Sequence, residues 1–313
     1  MANIAVINYC NLSCPYCFAN DYIVEEEKQI ITIDQLDRIL EFLGRSSCGR
    51  IGIIGGEPTI HPDFSNILTR INDFCEEKNL TASIFTNGIH IGDYARQIGD
   101  RVGGLININH PEVVGESNWR SLRDSLDKLR LCSALENFNF GVNLYYTLTD
   151  YDYIFELALL YNKEQLRVSY VAPTCEFSTI DKYEYYTKAK EIFLPFVEKA
   201  KSNGIRVHLD CNHIPRCYFT EEELSMIDTV VDGFHTYCEP VVDITPDFRA
   251  AACFGAYELF DLDRFENIQE VKRYLRFKKL YPLTQENSSG TCSTCSKFDN
   301  LSCQEGCLAF SNK

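Results

Sequence analysis

Short apolar runs recur through the first two hundred residues, and between them the apolar positions fall three and four apart. The runs at 3–8, 51–54, 82–85, 105–108, 140–146 and 166–171 have the length and β-branched content of buried strands. Between the first two, Thr32 and Gln35 form a capping box, Leu36, Ile39, Leu40 and Leu43 repeat at helical spacing, and Gly44 marks a stop. Phe64, Ile67, Leu68, Ile71 and Phe74 line one face of a second helix, and further helices are expected over 118–132, 151–162 and 181–202. Strand and helix alternate six times, so the pattern predicts an α/β fold with a parallel sheet. A complete eight-stranded barrel takes about 250 residues, and these units end near residue 203, which favours a partial (βα)₆ TIM-like barrel.

Beyond Gly204 the character changes. Residues 206–210 read as one more strand, followed by turn-rich, cysteine-rich segments and a polar helix over 220–230. A boundary near 205 is expected, giving a barrel over 1–204 and a small Cys-rich domain over 205–313. The acidic run at residues 25–27 reads as a solvated loop face, and there is no repeat.

Composition narrows the function. With 45% apolar and 24% charged residues the chain is ordinary globular protein, and no apolar run approaches the roughly 20 residues that span a bilayer. No membrane association is therefore expected. The first strand begins without a basic or cleavable apolar segment, so the expected compartment is the cytoplasm. There, 15 cysteines point to metal or redox chemistry rather than disulfides. A net charge of −15 argues against a nucleic-acid partner, since phosphate binding draws on Lys and Arg.

Three of those cysteines, Cys10, Cys14 and Cys17, follow directly on the first strand in C-x₃-C-x₂-C spacing. Thiolates are the soft ligands that iron–sulfur clusters require, and a short loop can place three of them on three corners of one cubane, leaving the fourth iron open. A zinc knuckle or buried thiols are the plainer alternatives, but zinc takes a fourth ligand in a closed tetrahedral site, and none lies nearby in sequence. Gly55-Gly56-Glu57-Pro58 closes the second strand. Its glycines allow close backbone approach to a ligand, and Glu57 offers a carboxylate to a cationic amino group.

Together these motifs resemble the radical S-adenosylmethionine (SAM) enzymes. The resemblance covers the first sixty residues and includes the aromatic Tyr16 before the last cysteine. It implies a [4Fe–4S] cluster on Cys10, Cys14 and Cys17 whose open iron is chelated by SAM. The reduced cluster would cleave SAM to methionine and a 5′-deoxyadenosyl radical that takes a hydrogen atom from substrate. Gly55, Gly56, Glu57 and Pro58 would hold the methionyl amino group, and Phe18 would lie against adenine unless it is a core aromatic. Thr86, Asn87, Asn109 and Asn143, at or near strand ends, are candidates for the ribose and carboxylate of SAM or for turn hydrogen bonds. Cys75 and Cys132 fall on apolar helix faces and are expected in the core; Cys48 has no assigned role.

The C-terminal thiols are Cys238 and Cys253, flanking an expected hairpin, and Cys292-x₂-Cys295-x₇-Cys303-x₃-Cys307. Their spacing resembles the SPASM/twitch extension of radical SAM enzymes, which implies one or two auxiliary [4Fe–4S] clusters. Cys238, Cys253 and Cys307 would belong to one, and Cys292, Cys295 and Cys303 to the other. Two departures stand out: Phe248 occupies a turn where the family has glycine, and a seventh downstream cysteine is missing. Each set lacks a ligand, and the first could borrow Cys217; a zinc ribbon is the alternative. Cys175, Cys211 and Cys217 are also candidates for a hydrogen donor or substrate site, with His213 and Arg216 as substrate contacts.

The activity so implied is modification of a peptide by cross-linking, thioether formation, epimerisation or oxidation. A separate leader-binding protein, a flavodoxin or ferredoxin donor and oxygen sensitivity are expected with it. The alternatives are a dehydrogenase of a sugar or aminocyclitol, and a non-catalytic iron–sulfur electron carrier. An open groove beside the barrel mouth would suit a peptide, and a closed pocket a small molecule.

Overall fold

The computed structural model describes residues 1–25, 27–46, 48–145, 147–148, 150–171, 180–210, 214–234, 241–254, 258–280, 292, 294–296, 303 and 305–310. The first strand β1 (Ala2–Ile7) runs into the cysteine loop and a short helix α1 (Asn20–Glu25), then α2 (Ile33–Gly44). Thr32 and Gln35 cap α2 reciprocally, as the sequence pattern requires. The pattern continues with β2 (Arg50–Gly55), α3 (Phe64–Lys78), β3 (Thr81–Thr86), a short 3₁₀ turn over Ile91–Tyr94 where a helix was expected, β4 (Val102–Asn107), α4 (Pro111–Val114) and α5 (Glu116–Leu131). It closes with β5 (Phe138–Leu144), α6 (Asp152–Leu160), β6 (Gln165–Tyr170) and α7 (Lys182–Ser202).

The sheet does not end there. It runs on through position 205 into β7 (Arg206–Leu209) and, after α8 (Glu221–Val230), into β8 (Val231–Asp232), each parallel to its predecessor. On the opposite edge β9 (Val242–Ile244) pairs parallel with β1 and turns back into the antiparallel strands β10 (Arg249–Ala251) and β11 (Phe260–Asp261). A further helix, α9 (Ile268–Tyr274), follows. Among the described residues the order is thus β11-β10-β9-β1-β2-β3-β4-β5-β6-β7-β8. This is a parallel-dominated α/β sheet of the partial TIM-like barrel kind.

Successive side chains of a strand point to opposite faces. In β1, Ile4 and Val6 join the main core against the helices, while Ala5 joins a second cluster with Ile54, Ala251 and Phe254. The second face curves into a lumen. Arg167 of β6 pairs with Asp210 and its guanidinium lies 5.2 Å over the Phe85 ring of β3, although β3 and β6 are not neighbours in the sheet.

Phe248, in the β9–β10 turn, holds φ at 65°, the left-handed region where a side chain costs roughly 1–2 kcal/mol. Its ring meets Phe42 edge-on at 5.5 Å and carries the Arg38 guanidinium at 4.0 Å, which offsets that cost. The turn therefore keeps a glycine-like backbone without the glycine.

Candidate cluster-binding site

The cysteine loop lies over the carboxyl ends of the strands, where parallel α/β folds place their chemistry. Tyr16 fixes its position. Its hydroxyl donates to Asn109 Oδ1 just past β4 at 2.7 Å, its ring stacks on Tyr145 just past β5 at 4.6 Å, and it packs with Val171 past β6. One loop side chain thereby reaches three other strand ends. Cys17 N–H donates to Cys14 O at 3.1 Å, a tight turn that keeps the last two thiols together, and Leu12 N–H points at Cys10 Sγ from 3.3 Å.

Gly55 and Gly56 lie tight against the chain's own backbone. A Cβ on Gly56 would sit 2.2 Å from the backbone C and O of Tyr9, and one on Gly55 would sit 2.3 Å from Ile7 O. The glycines admit the chain's own first loop, with Gly56 N–H donating to Ile7 O and Glu57 N–H to Tyr9 O.

Glu57 is only 1% exposed. Its Oε1 accepts from Thr59 N–H (3.1 Å), Thr59 Oγ1 (2.5 Å) and Thr86 Oγ1 (2.7 Å), and its Oε2 accepts from Asn87 N–H (2.7 Å). Burial pushes its carboxyl pKa up against the pull of these donors. Glu57 thus ties the β2 and β3 loops together, and Oε2, with one donor, keeps a lone pair for a ligand. Pro58 begins the buried 3₁₀ turn that Glu57 caps.

The remaining candidates divide. Thr86 and Asn87 are engaged with Glu57, Asn109 with Tyr16, and Asn143 Oδ1 accepts from Ser169 Oγ at 2.7 Å. Phe18 is 47% exposed, which removes the core-aromatic alternative. Cys75 is fully buried as expected, but Cys132 is exposed, because α5 ends at Leu131 and Cys132 takes a non-helical cap conformation. Arg216 pairs with Asp228 at 3.2 Å, an ordinary exposed ion pair. Cys175, Cys211, His213 and Cys238 lie outside the described residues, as does the end of the strand expected to reach residue 146.

Burial raises the Cys10 thiol to about 11 and the Cys14 thiol to about 12, with the neighbouring cysteines adding to the rise. Both are protonated at neutral pH until a cation takes the protons' place. Among the described residues no three Cys, His, Asp or Glu side chains gather as they would around one ion. A cluster spreads its ligands over separate corners, and the donor set of soft thiols on one loop fits that.

Further thiols collect on α7. Cys307 N–H donates to Tyr186 Oη at 2.6 Å, Lys182 pairs with Glu305 at 2.6 Å, and the Tyr218 ring meets Tyr186 edge-on at 5.6 Å, bringing Cys217 to the same place. The charges that bear on Cys292 come from Glu305, Cys217 and Cys303, then Lys182; burial and those anions push its thiol up to about 11. Cys253 precedes Phe254, whose ring stacks on Tyr22 of α1 at 4.2 Å.

Sequence reasoning missed Tyr145, the Arg167–Asp210 pair in the lumen, and the buried Asp243. Asp243 accepts from Asn3 Nδ2 at 2.7 Å, and burial raises its pKa to about 7. A charged residue at an alternating position of an otherwise β-rich run was the available signal for Arg167.

Residues 4–136 match the Radical SAM superfamily. GTP 3′,8-cyclase of Staphylococcus aureus is 24% identical over 149 residues, 45% of this chain and 42% of the cyclase, so the match spans less than half of that relative. Among solved structures, Streptococcus suis SuiB bound to S-adenosylmethionine is similar over 98% of this chain and 72% of its own, with 15% identity and a TM-score of 0.66. Native anSMEcpe with bound AdoMet and Kp18Cys peptide is similar over 98% and 88%, with 15% identity and a TM-score of 0.67. At that identity, the likeness shows the fold. Among the described residues no helix is long and apolar enough to cross a membrane.

Proposed function

Since residues 4–136 form a radical SAM domain, we propose that the chain is a peptide-modifying radical SAM enzyme. The observation that carries the reading is the braced cysteine loop over the strand ends, beside the Gly55–Pro58 segment. Cys10, Cys14 and Cys17 would hold a [4Fe–4S] cluster, which would supply the electron for reductive cleavage of SAM. In this reading Glu57 Oε2 and the backbone around it receive the methionyl amino group, and Asn143, which accepts from Ser169, contacts the ribose or carboxylate. Tyr16, Tyr145 and Val171 pack together beside the cysteine loop and exclude water from that side of it.

The peptide substrate rests on likeness of almost the whole chain to SuiB, also solved with its precursor peptide SuiA, and to peptide-bound anSMEcpe. The cyclase match covers 45% of this chain and 42% of the cyclase, so it is not carried over to the substrate. Residues 205–313 are proposed to carry at least one auxiliary cluster. In this reading Cys292, Cys295 and Cys303 supply three ligands, and Cys217, whose charge bears on Cys292, is a candidate for the fourth. This departs from the expectation that Cys217 would serve the Cys253 and Cys307 set. A cytoplasmic setting and a flavodoxin or ferredoxin donor accompany this reading.

The test is anaerobic reconstitution, iron and sulfide counting, and assay of SAM with dithionite for 5′-deoxyadenosine, beside a Cys10/Cys14/Cys17→Ala triple variant. The expected result is about four fewer irons in the variant and loss of 5′-deoxyadenosine. Zinc in place of iron, or a cluster that leaves SAM intact even with candidate peptides present, overturns the reading.

A further inference from the structure

Asn87 follows directly on β3, is 9% exposed, and has its backbone N–H and both side-chain polar atoms engaged. Its backbone N–H donates to Glu57 Oε2 at 2.7 Å, and its Oδ1 accepts from Ile89 N–H at 3.1 Å. Its Nδ2 donates to Asn11 Oδ1 at 2.8 Å and stands 4.0 Å from Cys10 Sγ. The Ile89 bond settles which way the amide faces. A flip would set oxygen against oxygen at Asn11 and N–H₂ against N–H at Ile89, losing two hydrogen bonds. The donor end must therefore point at the first cysteine. Glu57 is itself fixed by Thr59 and Thr86, so the constraint passes from the end of β2, through the end of β3, to the loop after β1.

We propose that Asn87 is a positioning residue for the cluster loop rather than a SAM contact. It pins Asn11 and presents its amide dipole to the Cys10 sulfur, raising the reduction potential of the cluster bound there. The inference rests on the proposed radical SAM reading. Its physical ground is general: hydrogen-bond donors aimed at cluster sulfurs favour the reduced state, which carries one more negative charge. Leu12 N–H is a second donor to the same sulfur, so removing Asn87 weakens the effect without abolishing it.

The test is a redox titration of the reconstituted full-length protein without SAM, following the paramagnetic signal that the Cys10/Cys14/Cys17→Ala variant lacks. Asn87→Ala removes the donor. Asn87→Asp keeps the shape and the bond from Ile89 but turns a carboxylate oxygen toward Asn11 and Cys10. The expected order of midpoint potentials is wild type, then Asn87→Ala, then Asn87→Asp most negative. The Ala step is expected to lower the equilibrium constant for reduction roughly tenfold, about 59 mV for a one-electron couple. Asn11→Ala, which takes away the acceptor but leaves the amide, should move the potential the same way by less, and it keeps the test open if the Asn87 variants do not fold. Unchanged potentials in all folded variants overturn the proposal, as does weaker SAM binding at unchanged potential, which would assign Asn87 to SAM. If wild-type protein holds no cluster on this loop, the radical SAM reading fails instead.

Discussion

Two sets of cysteines are held in two different ways. The loop carrying Cys10, Cys14 and Cys17 is seated first on backbone, with glycines pressed against Ile7 and Tyr9 and main-chain hydrogen bonds from Gly56 and Glu57, and the side chains of Tyr16 and Glu57 brace that seat. The described thiols beyond residue 216 are held by side chains: Tyr186 under Cys307, Lys182 on Glu305, Tyr22 under Phe254. A backbone seat is set by the fold and tolerates almost no added volume. A side-chain seat costs less to lose and can adjust to what it binds.

The sharpest way to break that contrast is Gly56→Ala. Its Cβ would have to displace main chain, and main chain cannot swing aside, so the cost belongs at or above the top of the usual overpacking range, about 3 kcal/mol. Urea melts should show it, and reconstituted iron should fall by the share belonging to the first loop. If Gly56→Ala melts like wild type, the backbone seat is not tight.

Asp243 lies where the two regions join, on β9 against Asn3 of β1. Its folded pKa, about 7, stands above its ordinary 3.8, so between those values the folded state binds the extra proton. Stability should then fall as pH rises from about 4 to about 7, by up to roughly 1.4 kcal/mol per pH unit from this group, and level off above. Asp243→Asn should flatten that slope in denaturant melts taken across the range. An unchanged slope would place the titrating group elsewhere.

Glu57→Gln should cost about 2 kcal/mol, because an amide N–H₂ must then face donors that need an acceptor. Asp in place of Glu should not restore the lost stability, since the shorter side chain cannot reach both loops. Tyr186→Phe is the mild counterpart in the second region: it removes the acceptor used by Cys307 N–H, worth about 1 kcal/mol. Stability should drop slightly and iron in the auxiliary region more visibly, while 5′-deoxyadenosine formation persists. Equal losses from Glu57→Gln and Tyr186→Phe would erase the distinction between the two seats.

Much of the fold was legible because one face of each element is apolar. Strands β1, β2, β3, β5 and β6 and helices α2, α3, α5, α6 and α7 begin and end within a few residues of the pattern's bounds, whereas α1 and α4 were not read from it and β3 reaches β4 through a short 3₁₀ turn rather than a helix. The pattern placed β4 late, at 105 rather than Val102, because Gly103 and Gly104 lack the apolar signal. They are glycines because a Cβ there would strike Asn137 O and Ile84 O. Pairing of β9 with β1 could not be read, since periodicity says which face is buried and nothing about which distant strand will cover an edge. In the site, residue types at strand ends pointed to Glu57, Thr86 and Asn87. Their mutual hydrogen bonds, and the role of the two glycines in admitting the chain's own loop, come from packing between segments 29 and more residues apart.

That unread pairing has a consequence for biosynthesis. Asn3 and Asp243 are 240 residues apart in sequence, so at roughly 5–20 residues per second the outer edge of β1 waits about 12–48 s on the ribosome for its partner. During that interval β1 is an apolar strand with one unpaired edge, the kind that recruits foreign strands. Translation speed and chaperone supply should therefore govern the yield of this protein more than the final stability of its barrel does.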